Sequence, residues 1–403
     1  MKVRWETKKL VELCEVFADG DWVESKDQSV DGIRLIQTGN VGNGLFKDRA
    51  EKARYISEAT FKRLRCTEIF EGDCLVSRLP DPVGRSCLLP DTGERMITAV
   101  DCTIVRFKRD TCLPEFFNFY SQSDEYLATV AKECTGTTRS RISRNNLGFT
   151  PIPVPPLAEQ QRIVGLLEEA FEGLATAKAN AEKNLQNARA LFERHLQSVF
   201  THRGQGWVDR RLGDIVTRLT NGYVGPIRNV YQETGIPYLL ARHVKSNRLT
   251  FDGRTFISNE FNQKNKKSIL KAGDVLLVQS GHIGHAAVVT EEHEGHNCHA
   301  MIVMTPVKDV LIGPFLSMFF LSSGMKQKFE EIRSGSTVPH LTCGLVKELR
   351  VALPDLPTQQ KLVASLQEIE AETQRLTRLY EQKQAALAAL KKSLLHQAFS
   401  GEL

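Results

Sequence analysis

The chain has 403 residues, 41% of them hydrophobic and 25% charged, which is typical of a globular protein with room for two or more domains. Its apolar runs are far shorter than the roughly 20 residues of a membrane-spanning helix, so no membrane contact is expected. The net charge of +5 is small for a chain that covers nucleic acid alone. Nine cysteines without a C-x-x-C pair argue against a closed disulfide framework and favour a reducing cytoplasm.

An internal repeat gives the domain organisation. Motifs of the first half recur about 200 residues later, a period far longer than that of solenoid proteins. The matched segments include Trp-x4-Leu at 5–10 and 207–212, Gly-Asp at 72–73 and 273–274, Gly-Thr-Thr at 136–138 with Gly-Ser-Thr at 335–337, Gln-Gln at 160–161 and 359–360, and Phe200 with Phe399. The spacing drifts before residue 136 and is constant after it, as expected if loops vary on a fixed scaffold. The chain is therefore a duplication.

Each copy begins with a globule that mixes short strands and helices. In the first copy, residues 73–77 and 98–107 are predicted to be strands, and residues 114–128 are predicted to be a helix that starts at a proline. The second copy repeats this order, with strands at 274–278 and 300–305 and a helix at 314–331. Each globule is therefore predicted to be α+β.

A long helix follows each globule. Proline-rich segments predict an extended lead-in, and no proline then interrupts residues 157–200 or 358–399. Apolar residues recur at heptad spacing along both helices, as in a coiled coil, and the first helix contains one four-residue shift. The residues predicted to pack between the helices include Ile163, Leu167, Leu174, Leu185, Leu196, Leu362, Leu366, Ile369, Leu376, Leu387, Leu390 and Leu394.

Equal length and equal position in the repeat favour pairing of the two helices over the alternative, two unrelated surface helices. We expect an antiparallel coiled coil of roughly 65 Å that alternates with two α+β globules in an internal two-fold repeat. The predicted boundaries are 1–150 for the first globule, 151–204 for the first helix and its connection, 205–355 for the second globule, and 356–403 for the second helix and tail.

The segment that ends each globule resembles a known family. Residues 136–164 contain Gly-Thr-Thr, a proline-rich Pro-Ile-Pro-Val-Pro-Pro-Leu stretch and Ala-Glu-Gln-Gln-Arg-Ile-Val, and they are similar to the specificity subunit of type I restriction-modification systems. Residues 335–363 are a looser match, and residues 397–401 also resemble the family's carboxyl end. The architecture resembles the family over the whole chain, whereas the specific motif covers only the start of each helix.

The resemblance implies a function and a set of partners. In that family each globule is a target recognition domain that recognises one half of a bipartite site in double-stranded DNA. The helices set the spacing between the halves and dock two methyltransferase (modification) subunits, and restriction/translocase subunits join for cleavage. S-adenosylmethionine, ATP and Mg are therefore expected on the partner subunits, and no cofactor is expected in this chain.

The motif inventory agrees with a chain that has no catalytic residues. There is no Asn/Asp-Pro-Pro-Tyr/Phe for holding a flipped adenine, no G-x-x-x-x-G-K-S/T phosphate loop, and no G-x-G-x-x-G after a strand. The glycine-rich segment 39–44 is predicted to be a turn, because its counterpart around residue 243 lacks the glycines. The Pro-Asp pairs at 80–81 and 90–91 are also predicted to be turns.

Histidine and cysteine crowd into one segment of the second copy. This segment contains His282, His285, His293, His296, Cys298 and His299, and imidazole with thiolate can bind zinc. The matching segment of the first copy, residues 91–102, has no histidine, although ligands to a structural metal would be expected in both copies of a duplicated fold. We therefore assign no metal site and favour histidines that donate to DNA or lie in a hairpin.

The candidate DNA contacts are polar and basic side chains after strand ends and in the loop before each helix. Arginine and lysine can bond to guanine, asparagine and glutamine to adenine, and all of them reach phosphates. The candidates are Arg78, Arg85, Thr137, Thr138, Arg139, Arg141 and Arg144 in the first copy, and Arg242, His243, Lys245, Arg248, His282, His285, Ser336, Thr337 and His340 in the second. Since the basic excess is small, a partner is expected to supply much of the phosphate contact.

Two other functions are weighed against this interpretation. A protein-binding scaffold without direct DNA contact would fit the low net charge, and binding of DNA by the assembled complex but not by the partner alone would separate it from a specificity subunit. A stand-alone enzyme is the second alternative, and turnover by the purified chain would establish it.

Overall fold

The computed structural model describes residues 5–136, 140–227, 229–245, 247–333 and 340–403. These residues form two compact units whose bounds fall inside the long helices. Unit 1 comprises the residues up to Glu182 together with Gln382–Leu403, and unit 2 comprises Lys183–Glu381. Each unit therefore holds one globule, the start of the helix that follows it, and the end of the other helix. The division of the chain into four segments, with boundaries after residues 150, 204 and 355, stays a prediction.

The first copy consists of short strands, short helices and one long helix. Its elements are β1 (Glu6–Lys9), β2 (Cys14–Asp19), β3 (Gln28–Ser29), β4 (Ile33–Ile36), β5 (Tyr55–Ile56), α1 (Glu58–Leu64), β6 (Glu68–Ile69), β7 (Cys74–Ser77), β8 (Ser86–Leu88), β9 (Met96–Thr98), β10 (Cys102–Phe107), α2 (Pro114–Tyr120), α3 (Asp124–Lys132), α4 (Arg144–Gly148), β11 (Pro151–Val154) and α5 (Leu157–Thr201). The proline-rich lead-in is thus a strand, and it pairs with β1.

The second copy repeats this order with two differences: it adds a small hairpin, β16–β17, and its described residues have no strand at the place of β6. Its elements are β12 (Val208–Arg211), β13 (Val216–Asn221), β14 (Tyr231–Gln232), β15 (Ile236–Leu239), β16 (Val244–Lys245), β17 (Arg248–Leu249), β18 (Phe256–Ile257), α6 (Asn259–Lys264), β19 (Val275–Val278), β20 (Ala286–Val288), β21 (Asn297–Cys298), β22 (Met301–Pro306), α7 (Gly313–Leu321), α8 (Ser323–Ile332), α9 (Cys343–Lys347), β23 (Arg350–Leu353) and α10 (Leu356–Ser400). The α+β class predicted for each globule is confirmed.

Each globule is organised around a central antiparallel sheet, in the order β2-β10-β7-β8 in the first copy and β13-β22-β19-β20 in the second. Successive side chains of a strand point to opposite faces, so β7 serves two cores. Cys74 and Val76 pack with the residues of α2 and α3, whereas Leu75 packs with residues of the β3-β5-β4-β9-β6 sheet. In β19, Leu277 and Leu276 divide between two cores in the same way.

The single helix predicted after the central sheet is two helices in each copy. In copy one the first helix ends at Tyr120, and Ser123 begins the second, because its hydroxyl accepts a hydrogen bond from the Tyr126 N–H at 3.2 Å. Ser322 has the same role in copy two and accepts from the Met325 N–H at 3.4 Å. A serine is a good N-cap and a weak interior helix residue, so it starts a new helix.

A buried glutamine fastens each long helix to its globule. In the first copy, the Gln160 amide accepts from the Leu113 N–H at 2.8 Å and donates to the carbonyls of Thr111 (2.9 Å) and Pro155 (2.8 Å). The matched residue of the second copy repeats every contact. Gln359 accepts from the Ile312 N–H (3.1 Å) and donates to the carbonyls of Val310 (2.9 Å) and Pro354 (2.9 Å). We call Gln160 and Gln359 the glutamine clamps.

The end of each long helix packs in the unit that holds the other globule. The Phe399 ring of α10 lies against the rings of Phe116 and Tyr120, with centroid distances of 5.4 and 5.1 Å. At the end of α5, the Phe200 ring lies against Phe315 and Phe319 at 5.3 and 5.5 Å. The two ends are therefore held by equivalent aromatic contacts.

The two helices run antiparallel inside each unit. In unit 1, Ile163 and Leu167 near the start of α5 share a core with Leu395 near the end of α10. In unit 2, Leu196 near the end of α5 shares a core with Leu366 near the start of α10. Antiparallel pairing is confirmed.

The predicted packing positions are mostly sheltered from solvent. Ile163, Leu167, Leu185, Leu196 and Leu366 are buried, and Leu174, Leu362, Ile369, Leu376, Leu387 and Leu394 are partly buried. The prediction for Leu390 was wrong, because its side chain is 48% exposed. Near this end, α10 buries Leu395, Ala398 and Phe399 in the core of the first globule, so a strict heptad no longer describes its buried face.

A buried aspartate after the Gly-Asp turn is neutralised differently in the two copies. Asp73 accepts two hydrogen bonds of 2.7 Å from Arg106, which lies on β10. Asp274 is fully buried and pairs with Arg218, which lies on β13, while the Thr305 hydroxyl of β22 also donates to it. Both copies therefore have an aspartate at this position, but the arginine that pairs with it comes from a different strand in each copy.

Candidate nucleic-acid interface

One end of the central sheet in the first copy gathers charged side chains from four segments. Asp19 is the last residue of β2, Arg78 follows β7 and Asp101 precedes β10, so antiparallel pairing brings these positions to the same end. Arg141 and Arg144 join them from the loop and helix before β11. We call these five residues the sheet-end cluster. It unites two groups of candidates that the sequence placed apart.

Arg78 is the buried centre of this cluster. Its side chain is 5% exposed, and its Nη2 lies 3.1 Å from the Asp19 carboxylate. The same nitrogen donates to the Val100 carbonyl at 2.5 Å. Burial lowers the pKa of the Arg78 guanidinium, and the Asp19 charge opposes that shift. Arg78 is therefore placed to hold Asp19, and its side chain has little surface for a direct DNA contact.

Arg141 and Arg144 are the exposed members of the cluster. Arg141 Nη2 lies 2.9 Å from the Asp101 carboxylate, with the arginine side chain 46% exposed. The Arg141 backbone is fixed as well, because its N–H and carbonyl both pair with Thr135 at 2.9 Å. Arg144 Nη1 lies 3.9 Å from the second oxygen of Asp19. These two guanidiniums are accessible to a ligand and are restrained by carboxylates.

Arg85 has a structural role that does not fit its prediction as a DNA contact. Its guanidinium is buried and donates to five backbone carbonyls at 2.7–3.0 Å, those of Val41, Leu79, Pro80, Pro82 and Thr38. Each of its three nitrogens donates to at least one carbonyl and the residue is 8% exposed, so little of the guanidinium can reach a base or a phosphate. We therefore remove Arg85 from the interface.

The second copy has no carboxylate and no guanidinium at the matched positions. Asn221 ends β13, Gln279 follows β19, Ala300 precedes β22, and His340 and Cys343 lie before β23. The local contacts agree with this match, since the Leu341 N–H donates to the Gln279 carbonyl at 2.8 Å as the Ile142 N–H does to that of Arg78 at 3.3 Å. Cys343 Sγ lies 3.0 Å from Asn221 Oδ1, where the first copy has Arg144 and Asp19. We call these five residues the matched set.

The histidines after β19 lie near the matched set. His282 is exposed, and its ring stacks on that of His285 with centroids 5.4 Å apart and an angle of 19°. His340 pairs through its backbone with Ser280, which begins the same turn. Gly284 closes the turn at a φ of +87°, and an added Cβ would meet the Phe329 ring at 2.8 Å, so only glycine fits there.

The candidates in and before the β16–β17 hairpin divide into different roles. His243 is buried; its Nδ1 accepts from the Leu240 N–H at 3.0 Å and its Nε2 lies 3.2 Å from Asp252, so it stabilises the turn. Arg242 pairs with the same aspartate at 3.2 Å, and Lys245 is exposed. Arg248 donates to Gln374 of α10 at 3.4 Å. His243 is therefore committed to the turn, whereas Arg242, Lys245 and Arg248 are exposed and stay predicted contacts.

The histidine-rich segment of the second copy is held by protein contacts. His293 Nδ1 lies 2.7 Å from the Thr290 hydroxyl, and burial lowers the pKa values of His296 and His299. Cys298 is fully buried, and burial raises the pKa of its thiol to about 12. Within the described ranges, no group of three or more histidine, cysteine, aspartate or glutamate residues has the geometry of a metal site.

Five candidates lie outside the residues that the structure describes. They are Thr137, Thr138, Arg139, Ser336 and Thr337. Among the described positions, sequence reasoning missed Asp19, Asp101, Asn221, Gln279 and Cys343. Their common signal is that each ends, follows or precedes a strand or starts a short helix, but that signal becomes specific only once the strand order is known.

The comparisons with known proteins agree with this duplicated architecture. Residues 2–185 and 204–385 each match the model of the type I restriction modification DNA specificity domain. The chain belongs to this family. The two matches begin at corresponding points of the two copies, so each globule with the start of its helix is one DNA specificity domain.

Relatives that are named type I specificity subunits are distant in sequence. The type I restriction enzyme EcoBI specificity subunit of Escherichia coli is 23% identical over 312 residues, which cover 71% of this chain and 65% of that protein. A putative type I specificity subunit of Haemophilus influenzae is 24% identical over 247 residues, 60% of this chain and 61% of that protein. The chain thus spans less than two thirds of both. For the MjaIX specificity subunit of Methanocaldococcus jannaschii, 23% identity extends over 90% of this chain and 86% of that protein.

Solved structures share the fold of the DNA specificity domains over nearly the whole chain. A chain from a study of complex assembly and conformational transition of the type I R-M system aligns with a TM-score of 0.78 at 21% identity, covering 99% of this chain and 98% of that one. The HsdS subunit from Thermoanaerobacter tengcongensis aligns with a TM-score of 0.64 at 20% identity, covering 99% and 97%. In the described part of the chain, no helix is long and apolar enough to span a membrane.

Proposed function

We propose that this chain is the DNA sequence-specificity subunit of a type I restriction-modification complex and has no catalytic activity of its own. Each globule recognises one half of a bipartite site in double-stranded DNA. The observation that carries the proposal is one scaffold built twice, with different polar groups at the same sheet end. The sheet-end cluster is charged, whereas Asn221, Gln279 and His340 of the matched set are neutral or weakly basic.

A duplicated scaffold with two different surfaces suits two different half-sites. The contacts that hold the scaffold, such as the glutamine clamps, are the same in both copies. Direct recognition of bases depends on which donors and acceptors face the groove, so a change of side chain at a fixed backbone position changes the sequence recognised. A pure scaffold for proteins would not need this difference.

The partners are two copies of a methyltransferase subunit, with restriction/translocase subunits joining for cleavage. A feature of the helices supports paired docking. Leu191 of α5 and Leu390 of α10 occupy matched positions of the repeat, and both side chains are 48% exposed. An exposed leucine at the same place in each copy suits two identical partners, which bind repeated surfaces in the same way.

The chemistry belongs to these partners in our proposal. S-adenosylmethionine, ATP and Mg bind to the partner subunits, and the specificity subunit determines which DNA sequence the complex binds. We place the complex in the cytoplasm, where the host's DNA is found and where thiols stay reduced. All nine cysteines of the chain are free, which fits that compartment.

The experiment is to assemble the chain with its methyltransferase and map methylated adenines on genomic DNA. The expected result is a bipartite motif with one modified adenine in each half. Replacement of residues 1–150 by the globule of another family member should change one half only. A protein-binding scaffold predicts no sequence preference, and a change in both halves would contradict the modular assignment.

The helices set the length of the unspecified spacer between the halves. Four residues inserted after Val199 add about 6 Å to an α-helix, against about 3.4 Å per base pair. An active insertion variant should therefore methylate sites whose spacer is longer by about one or two base pairs, with both half-sites unchanged. Unchanged spacing would show that the helices do not set the distance.

A further inference from the structure

The exposed arginine of the sheet-end cluster is held in one place before any ligand arrives. Its backbone pairs with Thr135 through two hydrogen bonds of 2.9 Å, and its Nη2 lies 2.9 Å from Asp101. A free surface arginine loses rotamer entropy when a contact fixes it. Arg141 has already lost part of this freedom, so it is prepared for a contact that demands a defined geometry.

The carboxylates of the cluster make it a poor phosphate clamp. Asp19 and Asp101 offset most of the charge of the three guanidiniums and would repel a DNA backbone. Recognition of a base edge depends on the direction of the donors more than on net charge. A guanidinium has five N–H donors in a planar fork, so Asp101 can hold one nitrogen while others stay free.

We propose that Asp101 is a positioning residue that directs Arg141 toward a guanine in the half-site of the first copy. Arg141 is the specificity-determining residue, and Asp19, which Arg78 holds, restrains Arg144 beside it. This inference rests on the proposed function. The second copy has Ala300 and His340 at the matched positions, so its half-site is recognised without a fixed guanidinium from this end.

The test uses the assembled complex with its methyltransferase and a DNA library in which the first copy's half-site is randomised. That half is identified by the globule exchange described above. The variant Asp101→Asn keeps the size of the side chain and removes its charge. We expect discrimination at one guanine position to fall about 5- to 150-fold, the range of a good bidentate contact. The half-site of the second copy should keep its preference in the same reaction.

Further variants separate positioning from a merely structural role. Arg141→Lys keeps the charge, lacks the fork and should lose the same guanine position. Asp101→Glu keeps the carboxylate and should recover part of the discrimination. Asp101→Asn added to Arg141→Ala should have no further effect, since Asp101 acts through that arginine. The matched control is Glu58→Gln, which breaks an exposed pair with Arg95 of 2.7 Å in the same copy and should change nothing.

The outcomes distinguish this inference from the proposed function. If the wild-type complex methylates no bipartite sequence, the proposed function fails and the inference fails with it. If the wild type is specific and Asp101→Asn keeps the full preference, only the inference is overturned. If Asp101→Asn raises affinity for every sequence alike and steepens the salt dependence, Arg141 contacts phosphate and the inference is also overturned. If the Asp101→Asn complex does not assemble, the exposed substitution Arg141→Lys is measured instead. Full guanine preference in that variant would overturn the inference.

Discussion

The two copies agree where the scaffold is held and differ where a ligand could be recognised. Gln160 and Gln359 make the same three hydrogen bonds to equivalent backbone groups. At the sheet end, by contrast, Arg141 with Asp101 is replaced by His340 with Ala300. The clamp region thus needs a fixed backbone geometry, whereas the sheet end needs side chains whose chemistry suits the ligand of that copy. A comparison of copies within one chain can therefore separate structural from recognition residues.

The largest expected effect is at the aromatic ends of the long helices. Phe399→Ala should lower the free energy of unfolding of unit 1 by about 3–5 kcal/mol, because a buried ring is replaced by a cavity. Phe200 is only partly buried, so Phe200→Ala should cost less in unit 2. Urea unfolding of the full chain, followed by hydrogen exchange in each unit, would measure both. Leu390→Ala on the same helix is the control and should have little effect; a large loss there would restore Leu390 to the packed set.

The second-largest expected effect is at the glutamine clamps, where the loss of unfolding free energy should be equal in the two copies. Gln160→Leu and Gln359→Leu each leave three buried or partly buried backbone groups without their partner, for a loss of about 2–4 kcal/mol. The neighbours Gln161 and Gln360 are exposed, so the same substitution there should be nearly neutral. Denaturant unfolding is again the measurement. Unequal losses at the two clamps would show that the copies are less equivalent than their contacts indicate.

The two globules should respond in opposite directions to acid. Burial raises the pKa of Asp21 to about 6, so Asp21 opposes folding at neutral pH, and the first globule gains stability as pH falls through 6. Burial lowers the pKa values of His243, His296 and His299, so the unfolded second globule takes up protons first and its stability falls as pH drops below about 6.5.

Hydrogen exchange of the full chain between pH 7.5 and 5, corrected for intrinsic rates, would follow both globules at once. Protection of β7 and β10 should rise relative to that of β19 and β22 as pH falls. Asp21→Asn should flatten the first response and His296→Gln should weaken the second. Parallel behaviour of the two globules would contradict these assignments.

The smallest expected effect concerns a contact of unit 1 whose two matched positions in unit 2 hold Phe192 and Glu370. Lys391 Nζ lies 4.6 Å from the centre of the Phe171 ring and donates to Gln122 at 3.0 Å. Lys391→Met should cost about 1 kcal/mol in unit 1, since the apolar stem is kept and the cation is lost. Lys392→Met removes an exposed pair with Asp124 of 3.4 Å and should cost less than that. Equal losses would mean that the ring contributes nothing.

The sequence predicted the repeat, the long helices and the main strands, because each rests on local periodicity or on a motif present twice. It did not predict the break at Ser123 or at Ser322, since serine is only mildly unfavourable inside a helix, and the surrounding structure decides which serine becomes a cap. The exposed Leu390 shows a similar limit. A heptad count cannot tell which partner each turn will face.

The sequence predicted several of the arginines of the candidate site, but it did not predict how they are arranged or which of them are exposed. Arg78, Arg85 and Arg141 are alike in sequence, yet the first is buried, the second is used by five carbonyls and only the third is presented to solvent. The acidic members were missed, because Asp19 and Asp101 are 82 positions apart in the numbering and meet only through strand order. Long-range pairing decides which charged side chain is free, and no local pattern records it.

The discontinuity of unit 1 has a consequence for biosynthesis. Unit 2 is one continuous stretch, Lys183–Glu381, whereas unit 1 needs Gln382–Leu403 to complete a core that contains Leu395 and Phe399. On the ribosome, the globule that is synthesised first therefore waits for the segment that is synthesised some 200 residues later. All residues of unit 2 have been synthesised by Glu381, before unit 1 is complete. The second globule should therefore fold to completion before the first, and the apolar face of the first globule stays exposed until then.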